Sequence, residues 1–466
     1  MLNNRIHKRK GIILIFVSLL AFLLTFYPHF KYPYPLHIDE WFHISEAKMI
    51  GNTDTDWYSG KKFELGMERV WHLLLASLQN IFNLSVTQWI FLPAIIHVIA
   101  IFSVYTFTAK LLGKNQALIA ALLVALLPSN LAMGGPVFLM PVNLSLIFIP
   151  VALSFAFHLT GLKKECNYIG LLAVLIYLLY AHPPSALSLL VILTIYLILN
   201  VSTKEAKPLF IVMSTAILVS LPNYIPQLVR KGIQSINFNF WIVLEEIPKL
   251  YGYVPTLFFL IGFYFSSQSK KKEIWSLLLA ALLFMLNIVL FVRFDINYLI
   301  PYQRTFIPLF LLTSIIASEG FVRIANSFNC VGIIVVAITL LIATYLGIAR
   351  SLEAKYYYVI DKKDYENFLW IKNNTPKDAV ILLDPWKARA LPAIAERQVY
   401  AVMPFGPDEK QLSIVNQVNN FFSQNCTDTN FLFQTKALVV CSTTKCYNEN
   451  LISVKDNIYF LKISSS

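Results

Sequence analysis

Residues 35 to 48, PLHIDEWFHISEAK, bring two imidazoles and two carboxylates close together: His37, Asp39, Glu40 and His43. A carboxylate held within hydrogen-bond reach of a hydroxyl can take its proton as that hydroxyl attacks an electrophilic carbon. On a helix starting near Asp39, residues three and four apart share a face. Asp39, His43 and Glu46 then align, with Glu40 beside His43. Trp41, Ile44 and Met49 make the apolar side. The same residues have an ordinary structural use, because acids in a first helical turn interact well with the helix dipole and histidines suit a polar interface. A metal held by His37, Asp39 and His43 is a third use of this spacing. The stretch alone leaves all three open.

The elements around it define the setting. The chain is 57% hydrophobic and 14% charged, with a mean hydropathy of +0.61, far more apolar than a soluble domain at roughly 45–50% apolar and ~25% charged. The net charge of +12 lies in short clusters between apolar runs. No Arg/Lys stripe or aromatic-basic platform offers itself to a nucleic acid. Eleven apolar segments read as membrane spans, at 11–27, 88–109, 117–134, 138–160, 166–181, 185–202, 208–228, 250–267, 273–293, 304–322 and 330–349. Most approach the roughly 20 helical residues that a ~30 Å hydrocarbon core requires.

Lys and Arg set the orientation, since cytoplasmic loops retain them. The N-terminus carries Arg5, Lys8, Arg9 and Lys10, and every second loop is basic: Lys110 and Lys114, Lys163 and Lys164, Lys204 and Lys207, Lys270 to Lys272, then Arg323. The N-terminus is therefore expected inside, and the 28–87 loop and the 350–466 tail outside. The first span has no small-x-small cleavage site after it and reads as an uncleaved anchor. Val70 to Phe82 is short for a span and reads as a helix along the outer interface.

From Ser351 onward the chain carries 13 Lys/Arg against 12 Asp/Glu, and helical and strand-like stretches alternate. Helices are expected at Asp364 to Asn373 and Lys387 to Glu396. Strands are expected at Ala379 to Asp384, Gln398 to Val402, Ala437 to Cys441 and Asn457 to Lys462. Cys426, Cys441 and Cys446 predict one disulfide and one thiol, with the pairing open. The tail has no histidine and no paired C-x-x-C for a zinc site. Asn373 and Asn425 match the glycosylation pattern. The expected fold is a polytopic α-helical membrane protein of about eleven transmembrane helices, N-terminus inside and C-terminus outside. It has interfacial helices in the first outer loop and a small C-terminal α/β domain. Residues 1–349 form the membrane module and 350–466 the outer domain.

An acidic pair directly after the first span, two interfacial helices, many spans and an outer tail resemble the GT-C superfamily of membrane glycosyltransferases. The resemblance is carried by "HIDEWFHISEAKMI", "ERVWHLLLASLQNIFNLS", "VYTFTAKLLGKNQALIAALLVALLPS", "YQRTFIPLF" and "DYENFLWIKNNTPKDAVILLDPW". It implies a layout shared with protein mannosyltransferases, aminoarabinose transferases and oligosaccharyltransferase catalytic subunits, and a polyprenyl-phosphate-linked sugar as donor. It places the catalytic base at Asp39, with Glu40 as a supporting group and inversion at the anomeric carbon. Oligosaccharyltransferases carry a second acidic motif in the next outer loop and a Trp-Trp-Asp motif in the tail. Here that loop reads "GGPVFLMPVN" and the tail has no Trp-Trp pair, so a single-sugar transferase fits better; Glu245 and Glu246 keep the oligosaccharide alternative open.

The leaving phosphate requires positive charge. Arg304, at the outer start of a span, is the candidate phosphate-binding group, ahead of Arg293, Arg230 and Lys231. His37, His43 and His182, the last in "YAHPPS", are accessory candidates. The sequence demands no metal or other cofactor and leaves a divalent cation open. The acceptor is a protein, a lipid or a glycan. The rival readings are a multi-span transporter, disfavoured by the lack of internal repeats and of mid-span charges, and an inactive scaffold with the same architecture.

Overall fold

A computed structural model describes residues 2–231, 246–294, 296, 300–404 and 408–462. Among them, seven helices are long and apolar enough to cross a membrane: Lys10–Phe30, Val86–Leu111, Lys164–Ala181, Ala206–Ile225, Lys272–Phe294, Tyr302–Ser327 and Asn329–Glu353. Four shorter apolar helices, Lys114–Ala125, Pro141–Ala156, Pro183–Leu199 and Tyr253–Ser267, lie between them. Every apolar segment read from the sequence thus carries a helix. The Tyr302–Ser327 helix is 94% buried over its apolar window and forms the centre of the bundle. Its Gly320 lies against Gly262 so closely that a Cβ at Gly262 would fall 2.0 Å from the Ile316 carbonyl. Only glycine permits that approach.

Two expected spans are helical over only part of their length. Within 117–134 the helix ends at Ala125, and within 138–160 the helix proper begins at Leu144. Between them Pro128, Pro136 and Pro141 interrupt the ladder, and Gly134 and Gly135 turn the chain at φ values of 80° and 128°. A Cβ on Gly134 would sit 3.0 Å from the Met140 sulfur and 3.6 Å from the Arg304 guanidinium. Irregular backbone at such a place is tolerated where it lines a cavity, and Leu131, Ala132, Met140, Pro141 and Val142 of this segment line one.

The first loop holds two helices, Ile38–Met49 and Arg69–Phe82. The second has 14 residues and buries Trp71, His72, Leu75 and Ala76, spaced at three and four, against the first and against Lys164–Ala181. Leu73, Leu74, Ile81 and Phe82 remain exposed.

The tail forms a five-stranded sheet from Val380–Leu383 (β1), Gln398–Val399 (β2), Val439–Cys441 (β3), Leu451–Lys455 (β4) and Ile458–Leu461 (β5), in the order β2-β1-β3-β5-β4. β1 runs parallel to β2 and β3, while β5 runs antiparallel to β3 and β4. Three elements were not expected from sequence: β4, whose residues are mostly exposed, and the helices Glu409–Ser423 and Thr429–Gln434. The helix expected over Lys387 to Glu396 divides into a 3-10 turn, Lys387–Arg389, and a short helix, Leu391–Ala395, with Pro392 in its first turn. Cys426 and Cys446 form the disulfide, leaving the Cys441 thiol buried on β3.

The first loop and the tail are bonded together. The Tyr357 amide donates to the Leu36 carbonyl at 3.0 Å and the Val399 amide to the Trp57 carbonyl at 2.9 Å. The Tyr58 hydroxyl donates to the Arg389 carbonyl at 2.9 Å. Lys48, on the Ile38–Met49 helix, donates to the Ala393 carbonyl at 2.7 Å and lies 3.7 Å from Glu396. At another place several helix ends converge, where Lys10 reaches Asn115, Lys271 reaches the Leu111 carbonyl, and Gln116 and Arg323 share Glu319.

Lys48→Met leaves the Ala393 carbonyl without its donor in a buried place, a cost of about 1–3 kcal/mol. Glu396 keeps Lys372 at 2.5 Å. The variant should unfold at lower temperature in detergent and release a tail fragment sooner under limited proteolysis; an unchanged melting curve and cleavage rate would show that Lys48 does not secure the tail.

Candidate active site

The loop helix, the irregular segment and the start of the Tyr302–Ser327 helix enclose a cavity of about 450 Å³. Its polar lining comprises His37, Asp39, His43, Glu68, His182 and Arg304, with Leu131, Met140, Val142 and Tyr357 among its other walls. Tyr357 comes from the tail side, its ring 5.1 Å from Trp386 and 5.6 Å from His37.

Local sequence explains how Asp39 is presented. His37 is the N-cap of the helix, and its Nδ1 accepts the Asp39 amide at 3.1 Å. Its proton is therefore on Nε2, which donates to the Leu131 carbonyl at 3.1 Å. The ring is fixed at both nitrogens and remains neutral, since burial lowers its pKa. Glu40 points the other way. One oxygen accepts the amides of Leu36 and His37 at 2.7 and 2.8 Å, and the other accepts the Leu139 amide at 2.8 Å. Burial pushes its carboxyl up to about 7, opposed by those three amides. Glu40 does not line the cavity. It joins the loop helix to the irregular segment, completing a capping box.

Asp39 faces the cavity with its side chain 20% exposed, and the Arg304 guanidinium stands 3.4 Å from its carboxylate. Burial raises the Asp39 carboxyl and the Arg304 charge opposes it; the His37 and His43 rings act in the same sense as Arg304 only when protonated. Burial keeps His37 and His43 neutral. A guanidinium stays charged, so Arg304 is the lasting cation beside Asp39.

Glu68 and His182 also line the cavity, and His72 stands against His43. His43 Nδ1 and His72 Nε2 are 2.9 Å apart, and Glu68 lies 4.0 Å from His43 and 3.8 Å from His182. His182 caps the Pro183–Leu199 helix, its Nδ1 accepting the Ser185 amide at 3.2 Å, which leaves Nε2–H toward Glu68. Burial pushes the Glu68 carboxyl up to about 8 and the His72 imidazole down to about 4. Among the described residues, His43, Glu68 and His72 form the one group whose ligand atoms are close enough to hold a metal ion.

The structure thus brings together Asp39, Arg304, His37, His43 and His182 and turns Glu40 away. His43 stands with Glu68 and His72 rather than with the His37 and Asp39 of the metal reading. Arg293 is exposed at a helix end and does not line the cavity. The side chains of Arg230, Lys231, Glu245 and Glu246 lie outside the described residues. Glu68 and His72 were missing from the sequence reading as site residues. Their signal was the polar crowd Glu68, Arg69 and His72 opening an otherwise apolar stretch.

No protein-family model and no curated protein sequence matches the chain. Solved structures do. The Archaeoglobus fulgidus oligosaccharyltransferase AglB, in complex with an inhibitory peptide and a dolichol-phosphate, is 14% identical at a TM-score of 0.56, over 93% of this chain and 69% of that one. ArnT from Cupriavidus metallidurans bound to undecaprenyl phosphate is 11% identical at a TM-score of 0.60, over 98% of both chains. The mycobacterial arabinofuranosyltransferase AftD is 13% identical at a TM-score of 0.64, over 95% of this chain and 37% of that one. The chain has the fold of the GT-C membrane glycosyltransferases, so the resemblance read in the sequence is a resemblance of architecture.

Removing the guanidinium takes the nearest permanent positive charge away from Asp39 while its burial remains. In Arg304→Gln the Asp39 pKa should therefore rise, and the acid limb of a pH–rate profile, where the carboxylate gains its proton, should move to higher pH. An acid limb at the same pH in both proteins would remove Arg304 from the control of Asp39.

Proposed function

We propose that the protein is a glycosyltransferase that moves a single sugar from a polyprenyl-phosphate carrier to an acceptor on the outer face of the membrane. The observation that carries this reading is the Asp39–Arg304 pair inside the cavity. Arg304 takes the donor phosphate, whose oxygens suit its planar fork, and Asp39 takes the acceptor proton. The acceptor oxygen bonds to the anomeric carbon as the bond from that carbon to the phosphate oxygen breaks. The electron pair leaves with the phosphate and the proton goes to the Asp39 carboxylate. Attack opposite the phosphate inverts the anomeric centre.

The pair also supplies an order of events. Before the donor binds, Arg304 holds Asp39 ionised and weakly basic. A phosphate drawn to Arg304 partly neutralises its field, so Asp39 becomes a stronger base once the sugar is in place. Neutral His37 holds the backbone of the catalytic turn, and His182 lines the cavity.

We infer eleven crossings, the seven long helices and the four shorter ones, with the N-terminus inside. The alternation of Lys and Arg supports this orientation. The first loop and the tail are then extracytoplasmic, and the Arg69–Phe82 helix lies along the outer interface. The two carriers named for the solved neighbours, dolichol-phosphate and undecaprenyl phosphate, support a polyprenyl-phosphate donor. The acceptor class, protein, lipid or glycan, stays open.

The test is release of polyprenyl phosphate from a panel of polyprenyl-phosphate sugars, with a membrane extract as acceptor. Asp39→Asn should cut turnover by roughly 100- to 10,000-fold, as loss of a general base does, and elute as a monodisperse protein. Equal release by both proteins would remove Asp39 from catalysis. No release with any donor would favour a transporter or an inactive scaffold.

A further inference from the structure

We propose that His43, Glu68 and His72 bind one divalent transition-metal ion in the wall of the cavity that Arg304 also lines. The three offer one ligand atom each, all within 4.8 Å of one another. They come from two packed helices: His43 from the middle of Ile38–Met49, and Glu68 and His72 from the cap and first turn of Arg69–Phe82. The backbone bond from the His72 amide to the Glu68 carbonyl, at 3.1 Å, holds the last two in register.

The two imidazoles share a hydrogen bond that an ion would replace, and the carboxylate stands near both. Ligands about 2.1 Å from a tetrahedral ion stand about 3.4 Å apart. His43 Nδ1 lies 2.9 Å from His72 Nε2 and 4.0 Å from the Glu68 carboxylate, values on either side of that separation. The carboxylate is beyond hydrogen-bond reach of His43, and its contact with His182 is 3.8 Å. Three ligand groups therefore converge, with the two imidazoles bonded to each other and the carboxylate bonded to neither His43 nor His182. One cation bonds all three with a rotation of the Glu68 side chain, which is 27% exposed.

The donor set selects the ion. Two imidazoles and one carboxylate suit zinc and its transition-metal neighbours, whereas magnesium and calcium prefer oxygen ligands. Three protein ligands leave a position open, as in catalytic zinc sites. His43 and Glu68 both line the cavity, so that position faces it. On the transferase reading above, the ion there takes a phosphate oxygen of the donor together with Arg304. The site itself rests on geometry alone.

The experiment uses the full-length protein, purified in detergent, stripped with a chelator and titrated with Co²⁺ and Zn²⁺ without any sugar donor. One equivalent of Co²⁺ should bind, with the visible absorption of a four- or five-coordinate ion, and Zn²⁺ should displace it while equimolar Mg²⁺ should not. Glu68→Gln and His72→Ala should each weaken Co²⁺ binding at least 100-fold. If His72→Ala fails to elute as a monodisperse protein, Glu68→Gln decides. Less than a fifth of an equivalent bound, or affinity unchanged in the folded variants, would overturn the site. Because no donor is present, that failure would leave the transferase reading untouched.

Discussion

The ion pair between Asp39 and Arg304 joins positions 265 residues apart in the chain, and the rest of the architecture serves that meeting. Neither charge is stable alone in so enclosed a place, since an unpaired buried charge costs several kcal/mol. Arg304 opens the most deeply buried helix of the bundle, so its position is set by the packing of many neighbours. Asp39 opens a loop helix, which requires other anchors.

Those anchors come from three directions. His37 caps the helix and fixes itself to the Leu131 carbonyl. Glu40 ties the same turn to the Leu139 amide. The tail holds the far end through Lys48 and the near end through the Tyr357 amide. A carboxylate acting as the proposed base needs placement to within a fraction of an ångström. A twelve-residue helix outside the bundle obtains it here from the irregular segment 126–143 and from the sheet domain together. The domain after Glu353 is thus part of the site's frame, and Tyr357 carries it into the cavity wall.

Much of this was legible in the residues. Apolar runs located every long helix, because burial and lipid both select the same side chains. Asp39, Arg304 and His182 stood out as polar groups at the ends of apolar runs. How Glu40 gives its support was not legible, because a sequence shows that a carboxylate is present but not which amides it meets. Its Leu139 partner lies 99 positions away. Segments 117–134 and 138–160 looked continuous by hydropathy, although Pro128, Gly134, Gly135 and Pro136 forecast the break. β4 escaped notice because its exposed edge lacks the apolar pattern of a core strand, and Glu68 and His72 because their partner, His43, is on another helix.

On the proposed mechanism Arg304 gives up Asp39 to a donor phosphate. A cryo-EM structure of the full-length protein with undecaprenyl phosphate tests it directly. The phosphate is expected inside the cavity, within hydrogen-bond distance of the Arg304 guanidinium, with a longer Asp39–Arg304 separation than 3.4 Å. A lipid phosphate bound outside the cavity, with Arg304 still on Asp39, would contradict it.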